Sequence, residues 1–257
     1  MAVMILPKLA ADANIISHEV IGNNVWKMIV SCPQIAKLAA PGMFVQVRIE
    51  RGGLLLRRPI SLADVDQTKG TITLIYRIVG KGTAAMSDCK AGENINLLGP
   101  LGHGFDTTAG HPLLVGGGMG IAPLLFLAKA YQGKADILMG GRNADEMFWP
   151  SFYASLVQDI FITTDDGSLG SKGFTVTLLP ALLQKKSYDR IIVCGPEIMM
   201  RGIAALAEKA HIPCQVSLEK RMACGLGACL SCSIDTNDGQ RKKVCKDGPV
   251  FWAKEVF

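Results

Sequence analysis

The chain has little of what an exported, membrane-spanning or nucleic-acid-binding protein needs. Its opening stretch, Met1–Asn14, lacks a basic start, a long apolar stretch and a small-residue cleavage site, so no secretory signal is expected there. No run approaches the ~18 uninterrupted apolar residues of a membrane span, and no membrane role is expected. Aromatic residues make up only 6% of the chain, and none forms a platform beside the basic residues, which argues against nucleic acid despite a formal net charge of +5. Lys185-Lys186 and Arg241-Lys242-Lys243 are short, separated runs that read as solvated faces or as a surface for an acidic partner. Internal repeats are lacking, and the 28 glycines fall in short motifs rather than in a low-complexity tract. What remains is 257 residues with 49% apolar content, enough to fill two cores.

Eight cysteines without an export signal suit a reducing cytoplasm, where thiols serve metals better than bridges. Four of them, Cys224, Cys229, Cys232 and Cys245, read C-x4-C-x2-C and then, after twelve residues, a fourth C. The opening is the plant-type spacing of a [2Fe–2S] cluster, although the last gap is shorter than in plant ferredoxins. Two ferric ions need four soft, anionic ligands, and thiolates supply them. Gly225, Gly227 and Ala228 let the intervening loop fold tightly with N–H groups toward sulfur. A zinc site would more often show two C-x2-C knuckles or a cysteine–histidine mixture, and no histidine lies nearby. The spacing therefore points to electron transfer. Cluster and dinucleotide charges, about −2 each, would bring the loaded protein close to neutral.

Before residue 105 the chain reads as strands. Val25–Val30, Met43–Ile49 and Thr71–Val79 are β-branched or aromatic, partly alternating, and punctuated by Gly42, Gly52-Gly53 and Gly70. Short antiparallel strands at this spacing predict a small barrel over 1–105. Over 106–218 the rhythm changes to alternation. Strands are expected at Pro112–Val115, Asp136–Met139, Asp159–Thr163, Arg190–Val193 and near Cys214–Leu218. Helices are expected at Ile121–Gln132, near Asp145–Val157, at Phe174–Leu183 and at Glu197–Ala210. That order predicts a doubly wound parallel sheet. The last segment, 219–257, is too short for a core of its own and is expected to depend on the cluster as a staple.

Three further motifs suggest where cofactors sit. Arg58-Pro59-Ile60-Ser61, read as the end of a strand, is followed by Ile75-Tyr76-Arg77 and by a glycine turn containing Gly82 and Thr83. An arginine can grip pyrophosphate with paired hydrogen bonds, and a glycine–threonine turn at a helix start is a second anion site. Tyr76 between them is a candidate for stacking on a flat ring. Gly116, Gly117, Gly118 and Gly120 follow an apolar strand and open a helix, as a dinucleotide-binding turn does. Cys194-Gly195-Pro196 closes a later strand; taken alone, Cys194 reads as a small buried core residue. Arg142 suits a 2′-phosphate or an adenine ring equally, and Asp165 or Asp166 suits a ribose hydroxyl or a plain turn.

These motifs resemble those of the ferredoxin–NADP reductase-like family: R-x-[YF]-S, a glycine turn, GGGxGxAP and C-G-P, in that order. Ile60 stands where the family has a ring-stacking aromatic. The resemblance implies FAD at the first set and a nicotinamide dinucleotide at the second, with Cys194 beside the nicotinamide where hydride passes. With the cysteine segment included, from Glu219-Lys220-Arg221-Met222-Ala223-Cys224-Gly225 to Cys245-Lys246-Asp247-Gly248-Pro249-Val250-Phe251, the whole chain resembles the electron-transfer subunits of bacterial NAD-dependent dihydroorotate dehydrogenases. That family implies a relay from an FMN-containing catalytic subunit through [2Fe–2S] and FAD to NAD, in a heterotetramer of two copies of each chain. It favours NAD over NADP. The alternatives are a reductase subunit of a hydrogenase, glutamate synthase or transhydrogenase-type complex, and a zinc-stabilised adaptor or redox sensor.

Overall fold

The computed structural model describes residues 7–51 and 53–257; Met1–Leu6 and Gly52 lie outside the described residues. Six strands close an antiparallel barrel: β1 (Leu9–Gly22), β2 (Val25–Ser31), β3 (Phe44–Arg48), β4 (Arg58–Asp66), β5 (Thr71–Arg77) and β6 (Asn94–Leu101). Their order around the barrel is β1-β2-β5-β4-β3-β6. Two helices, α1 (Pro33–Ala36) and α2 (Lys81–Ser87), lie in the connections. Alternation explains the closure. Val45 and Val47 of β3 turn inward with Met28, Val30, Leu62 and Leu74, while Phe44 turns outward and joins a different core.

A seven-stranded sheet follows, built from β7 (Pro112–Gly117), β8 (Asp136–Gly141), β9 (Ile160–Thr164), β10 (Ser171–Lys172), β11 (Arg190–Cys194) and β12 (Cys214–Ser217). These six are parallel, and β15 (Val250–Trp252) adds antiparallel to β12. The helices between them are α3 (Ala122–Tyr131), α4 (Pro150–Tyr153), α5 (Thr175–Lys185) and α6 (Glu197–Lys209). Successive strand residues serve opposite faces. Leu113, Val115, Ile191 and Val193 pack with α5 and α6, whereas Leu114 and Ile192 pack with α3. Between β12 and β15 the chain forms a small hairpin, β13 (Ser233–Asp235) with β14 (Arg241–Lys243), then α7 (Val244–Asp247). The chain ends in α8 (Ala253–Val256).

The structure corrects three local expectations. A single helix near Asp145–Val157 does not form; the stretch holds one 3₁₀ turn, Ala144–Glu146, and the four-residue α4. The chain leaves helical geometry at Met147, with φ −102 and ψ 49, and the second turn starts afresh at Pro150, whose missing N–H is no loss at a helix's first position. Arg58–Ser61 begins β4 rather than ending a strand. In that stretch β4 pairs only with β3, because its ladder to β5 starts at Leu62, and this one-sided pairing tolerates Pro59. The first strand over Leu9–Gly22 and the sixth over Asn94–Leu101 carry no clear sequence signal, since both mix polar residues into the pattern.

The cysteine segment shares its core with both larger units. Cys232, Val244, Cys245, Phe251, Ala253 and Val256 are buried in one cluster with Val216 and Ile203 of the sheet layer and with Phe44 and Leu101 of the barrel. Phe251 is 4% exposed and its strand completes the sheet edge. Phe251→Ala should therefore lower the stability of the whole chain by about 3–5 kcal/mol, the usual cost of emptying a buried phenylalanine site. Urea unfolding followed by tryptophan fluorescence would check this; an unchanged midpoint would mean that the segment folds independently.

Candidate functional site

The first candidate site lies where β4 begins. Arg58 reaches across to the start of α2, and a Cβ at Gly82 would fall 1.7 Å from Arg58 Nε. Only glycine lets that guanidinium lie against the turn, so the structure brings Arg58 and Gly82 together as a cationic cradle beside backbone N–H groups. Thr83 has a different task. Its Oγ1 accepts from Val79 N at 2.9 Å and Gly80 N at 3.3 Å, and it donates to Gly80 O, so the hydroxyl closes the turn. Ile60 is buried with the barrel core, whereas Ser61 is only half-buried. Tyr76 is no open stacking platform, because its ring is 3% exposed in the barrel core and its hydroxyl lies 2.8 Å from His18 Nε2. Burial pushes that phenol upward and keeps it neutral.

Ile75 and Arg77 face the other way, toward the parallel sheet. Ile75 shares a core with Ile121 and Leu124, and Arg77 forms an ion pair with Glu146 at 3.4 Å. Glu146 also accepts from Arg142 Nε at 2.9 Å, and Arg142 holds its carboxyl below the usual range. Arg142 thus pairs with a carboxylate four residues on, at an exposed position. A cleft of about 180 Å³ opens beside this triad, between Asn24 and Ile78 of the barrel and Asn143 and Phe148 of the sheet domain. Asp166 accepts from Ser168 N and Oγ, which makes it a turn residue.

The second candidate site joins two motifs far apart in sequence. In parallel register Cys194 lies beside Gly116, and a Cβ at Gly120 would fall 2.4 Å from Cys194 O. Gly117 and Gly195 press on the same Met199, each with a Cβ position under 3 Å from it. Gly118 has φ +55 and open space where its Cβ would be. The glycine turn at the end of β7 and the Cys194-Gly195-Pro196 loop thus meet with no room for side chains, a surface on which a flat ligand can lie against backbone. Burial pushes the Cys194 thiol up to about 12, only partly offset by Ser217, so it is a neutral group and not a nucleophile.

The four C-terminal cysteines form two pairs. Cys224 Sγ accepts from Cys229 N at 3.4 Å and from Leu226 N at 3.3 Å. Cys245 and Cys232 are both buried, and burial first, then the neighbouring Cys232 sulfur, pushes the Cys245 thiol up to about 12. Cys229 is drawn down to about 6, chiefly by the Ser231 hydroxyl. Two adjacent buried sulfurs cannot both ionise without a cation, and iron at that position would reverse the balance. Among the described residues no three His, Cys, Asp or Glu side chains converge as a single-ion site. A two-plus-two donor set fits a binuclear cluster better than one tetrahedral zinc.

Several contributors escaped the sequence reading. Ser231 also accepts from Ala223 N, and Lys243 Nζ donates to Gly227 O at 2.8 Å, which steadies the cysteine loop. In the two basic runs, Arg241 pairs with Asp235, Lys242 with Glu255, and Lys186 with Asp136 and Asp159. Only tertiary structure reveals these partners.

Two predictions follow from this geometry. Gly120→Ala should force the Gly116–Gly120 turn and the Cys194-Gly195-Pro196 loop apart, and the KM for a dinucleotide seated between them should then rise at least about tenfold with flavin content unchanged, as steady-state assays and flavin spectra would read. An unaltered KM would remove the turn from the site. Cys194 and Cys214 both have folded-state values near 12 against an ordinary 9.0. The native state then holds protons that the unfolded chain releases, so stability should be level below about pH 9 and fall as pH rises toward 12. A urea midpoint that rises in this window would contradict the assignment.

Comparison with known proteins agrees with this arrangement. Residues 219–257 match the iron–sulfur cluster binding domain of dihydroorotate dehydrogenase B, and residues 12–105 match the oxidoreductase FAD-binding domain. The electron transfer subunit of dihydroorotate dehydrogenase B (NAD(+)) from Desulforamulus reducens is 39% identical over 95% of this chain and 97% of that one. The Streptococcus mutans subunit of the same name is 37% identical over 97% and 98%. Among solved structures, an NADH-dependent reduced ferredoxin–NADP oxidoreductase studied for flavin-based electron bifurcation superposes with a TM-score of 0.86 and 32% identity, over 100% of this chain and 91% of that one. A ferredoxin NADP+ reductase from Neisseria gonorrhoeae shares the fold, with a TM-score of 0.63 and 16% identity over 77% and 91%. No helix among the described residues is long and apolar enough to cross a membrane. The barrel, the parallel sheet and the paired cysteines together make this chain a member of the NAD(+)-dependent dihydroorotate dehydrogenase B electron transfer subunits, flavin- and iron–sulfur-containing oxidoreductase subunits of pyrimidine biosynthesis.

Proposed function

We propose that the chain works in the cytoplasm beside an FMN-containing catalytic subunit, two copies of each, and carries that partner's electrons to NAD⁺. The observation that carries this reading is the seat of the cysteine loop. It packs on the outer wall of the flavin barrel, with Gly225 against Gln46 of β3, whose ladder partner is Pro59 of the Arg58–Ser61 motif. This supports a cluster close to the flavin, since the loop rests on the strand that pairs with the Arg58–Ser61 stretch.

Arg58 and the Gly82 turn would hold the FAD pyrophosphate, with Pro59, Ile60, Ser61, Ile75, Tyr76, Arg77 and Thr83 shaping the surroundings as barrel wall, interdomain contact or turn closure. Gly116, Gly117, Gly118 and Gly120, with Cys194, Gly195 and Pro196, would receive the nicotinamide dinucleotide. Cys224, Cys229, Cys232 and Cys245 would ligate the irons. A flavin supplies the ability to exchange one electron on one side and a hydride on the other. The chain's own residues bind and orient. Arg58 offsets phosphate charge, the glycine turns bring backbone close, and the neutral Cys194 thiol fills space without exchanging a proton. No general acid or base is required of this subunit.

A second reading, a reductase subunit of a transhydrogenase-type complex, draws support from the 32% identity to the electron-bifurcating oxidoreductase over the full chain. One experiment separates the two. The chain is purified anaerobically with its native partner, and the visible flavin and cluster bands are followed. Bleaching by dihydroorotate that NAD⁺ reverses supports the first reading, whereas bleaching by NADH alone supports the second. Cys229→Ser should leave FAD binding and NADH oxidation by artificial acceptors near normal while dihydroorotate-to-NAD⁺ transfer falls to background. Normal transfer in that variant would sink the relay.

A further inference from the structure

Among the described barrel residues, Gln46 is the side chain with both polar atoms buried and unpartnered; Arg77 leaves only its Nε so. Gln46 is fully buried, yet neither its side-chain oxygen nor its nitrogen has a hydrogen-bond partner within the protein. A buried amide left this way is unfavourable, and in native proteins such groups usually answer to a bound species. Its surroundings show where that species lies. A Cβ at Gly225 would fall 2.7 Å from both Gln46 Cγ and Gln46 Nε2, so the cysteine loop lies directly on the amide. Gly225 follows Cys224 and has φ +69, a backbone that brings the loop this close.

The strand that carries the amide and the loop above it are each held in place. Arg57 Nη1 donates to Gln46 O at 3.1 Å and to Asn96 O at 3.2 Å, which pins β3 to β6 at this level. Lys8 Nζ donates to Leu226 O at 3.3 Å, which ties the tip of the loop to the barrel. Cys224 Sγ already accepts two backbone N–H groups, so donors converge on this sulfur-rich corner. The residues flanking Gln46, Val45 and Val47, are barrel core, and alternation alone puts the amide on the outer wall.

We propose that the Gln46 side-chain amide donates a hydrogen bond to a sulfur of the [2Fe–2S] centre at its Cys224–Cys229 end, and so helps set the centre's potential from within the flavin barrel. The inference rests on the proposed function, because it assumes that the four cysteines carry a cluster. An N–H donor stabilises the reduced form, which carries one more negative charge, and thus raises the potential. Gln46 is a positioning residue on this view, since it acts on the cluster's electron affinity and passes no electron itself. Either orientation of the amide group leaves its NH₂ within the same buried space, so the argument does not turn on which atom was assigned nitrogen.

The test uses the full chain in its holo form. Wild-type protein labelled with ¹⁵N at glutamine side-chain amides is reduced and examined by pulsed electron paramagnetic resonance. A glutamine ¹⁵N coupled to the cluster spin, and lost in Gln46→His, is the expected result; a loaded cluster without that coupling overturns the inference whatever the variants do. Spectroelectrochemical titration gives the second readout. Gln46→Leu should shift the one-electron equilibrium about tenfold toward the oxidised form, about 59 mV more negative. Gln46→His, which keeps a donor, should recover most of the shift. An unchanged potential in a fully loaded Gln46→Leu protein also overturns it. A wild-type chain with no iron–sulfur spectrum at all would instead bring down the functional reading beneath it.

Discussion

The cysteine segment cannot hold itself together, and the arrangement of the molecule depends on how that is resolved. Residues 219–257 bury their apolar side chains only by sharing a core with both larger units, through Phe251 and Val244 against the sheet layer and through Phe44 and Leu101 on the barrel. That packing places the cysteine pairs before any metal is considered. It also buries Cys232 and Cys245 side by side, an arrangement unfavourable to two thiolates and favourable to a metal that neutralises them. The segment joins two domains and supplies a metal site at the same time.

The same docking sets the distance problem for electron transfer. The loop rests on β3, and β3 is the partner of the stretch of β4 that β5 leaves unpaired. A strand start with one free edge can expose Arg58 to a ligand while remaining anchored, and the glycine at position 82 lets the guanidinium lie against α2. From the neighbouring strands β4 and β5, Ala63 and Ile75 enter the core of the sheet domain, and the Arg77–Glu146–Arg142 triad links the two at the surface. Each unit thus meets its neighbours through strands that also carry cofactor motifs. Movement of one would be felt at the others.

Legibility followed the length scale of the signal. Strongly apolar strands such as Ile191–Val193 and the glycine turn at 116–120 were readable because their patterns are local. The cysteine spacing was readable for the same reason. The strand over Leu9–Gly22 was not, since only Ala13 and Ile15 of its fourteen residues are buried and its polar residues hide the alternation. The helix expected near Asp145–Val157 is interrupted at Met147, whose buried side chain packs in the sheet-domain core while its backbone leaves the helical region. Tyr76 was read as a stacking group because it lies between two ligand motifs, but strand parity turns it into the barrel.

By itself the sequence determined the chemistry on offer: four soft ligands, glycine turns that admit phosphate, and an arginine to meet it, each encoded within a few consecutive residues. Tertiary structure decided which of those groups meet. The approach of Gly120 to Cys194, the contact of Arg58 with Gly82 and the burial of Gln46 beneath Gly225 all join residues whose separation along the chain carries no local signal. Such contacts arise only when strand order and parity are fixed by the packing of whole layers, and neither can be read from a window of sequence.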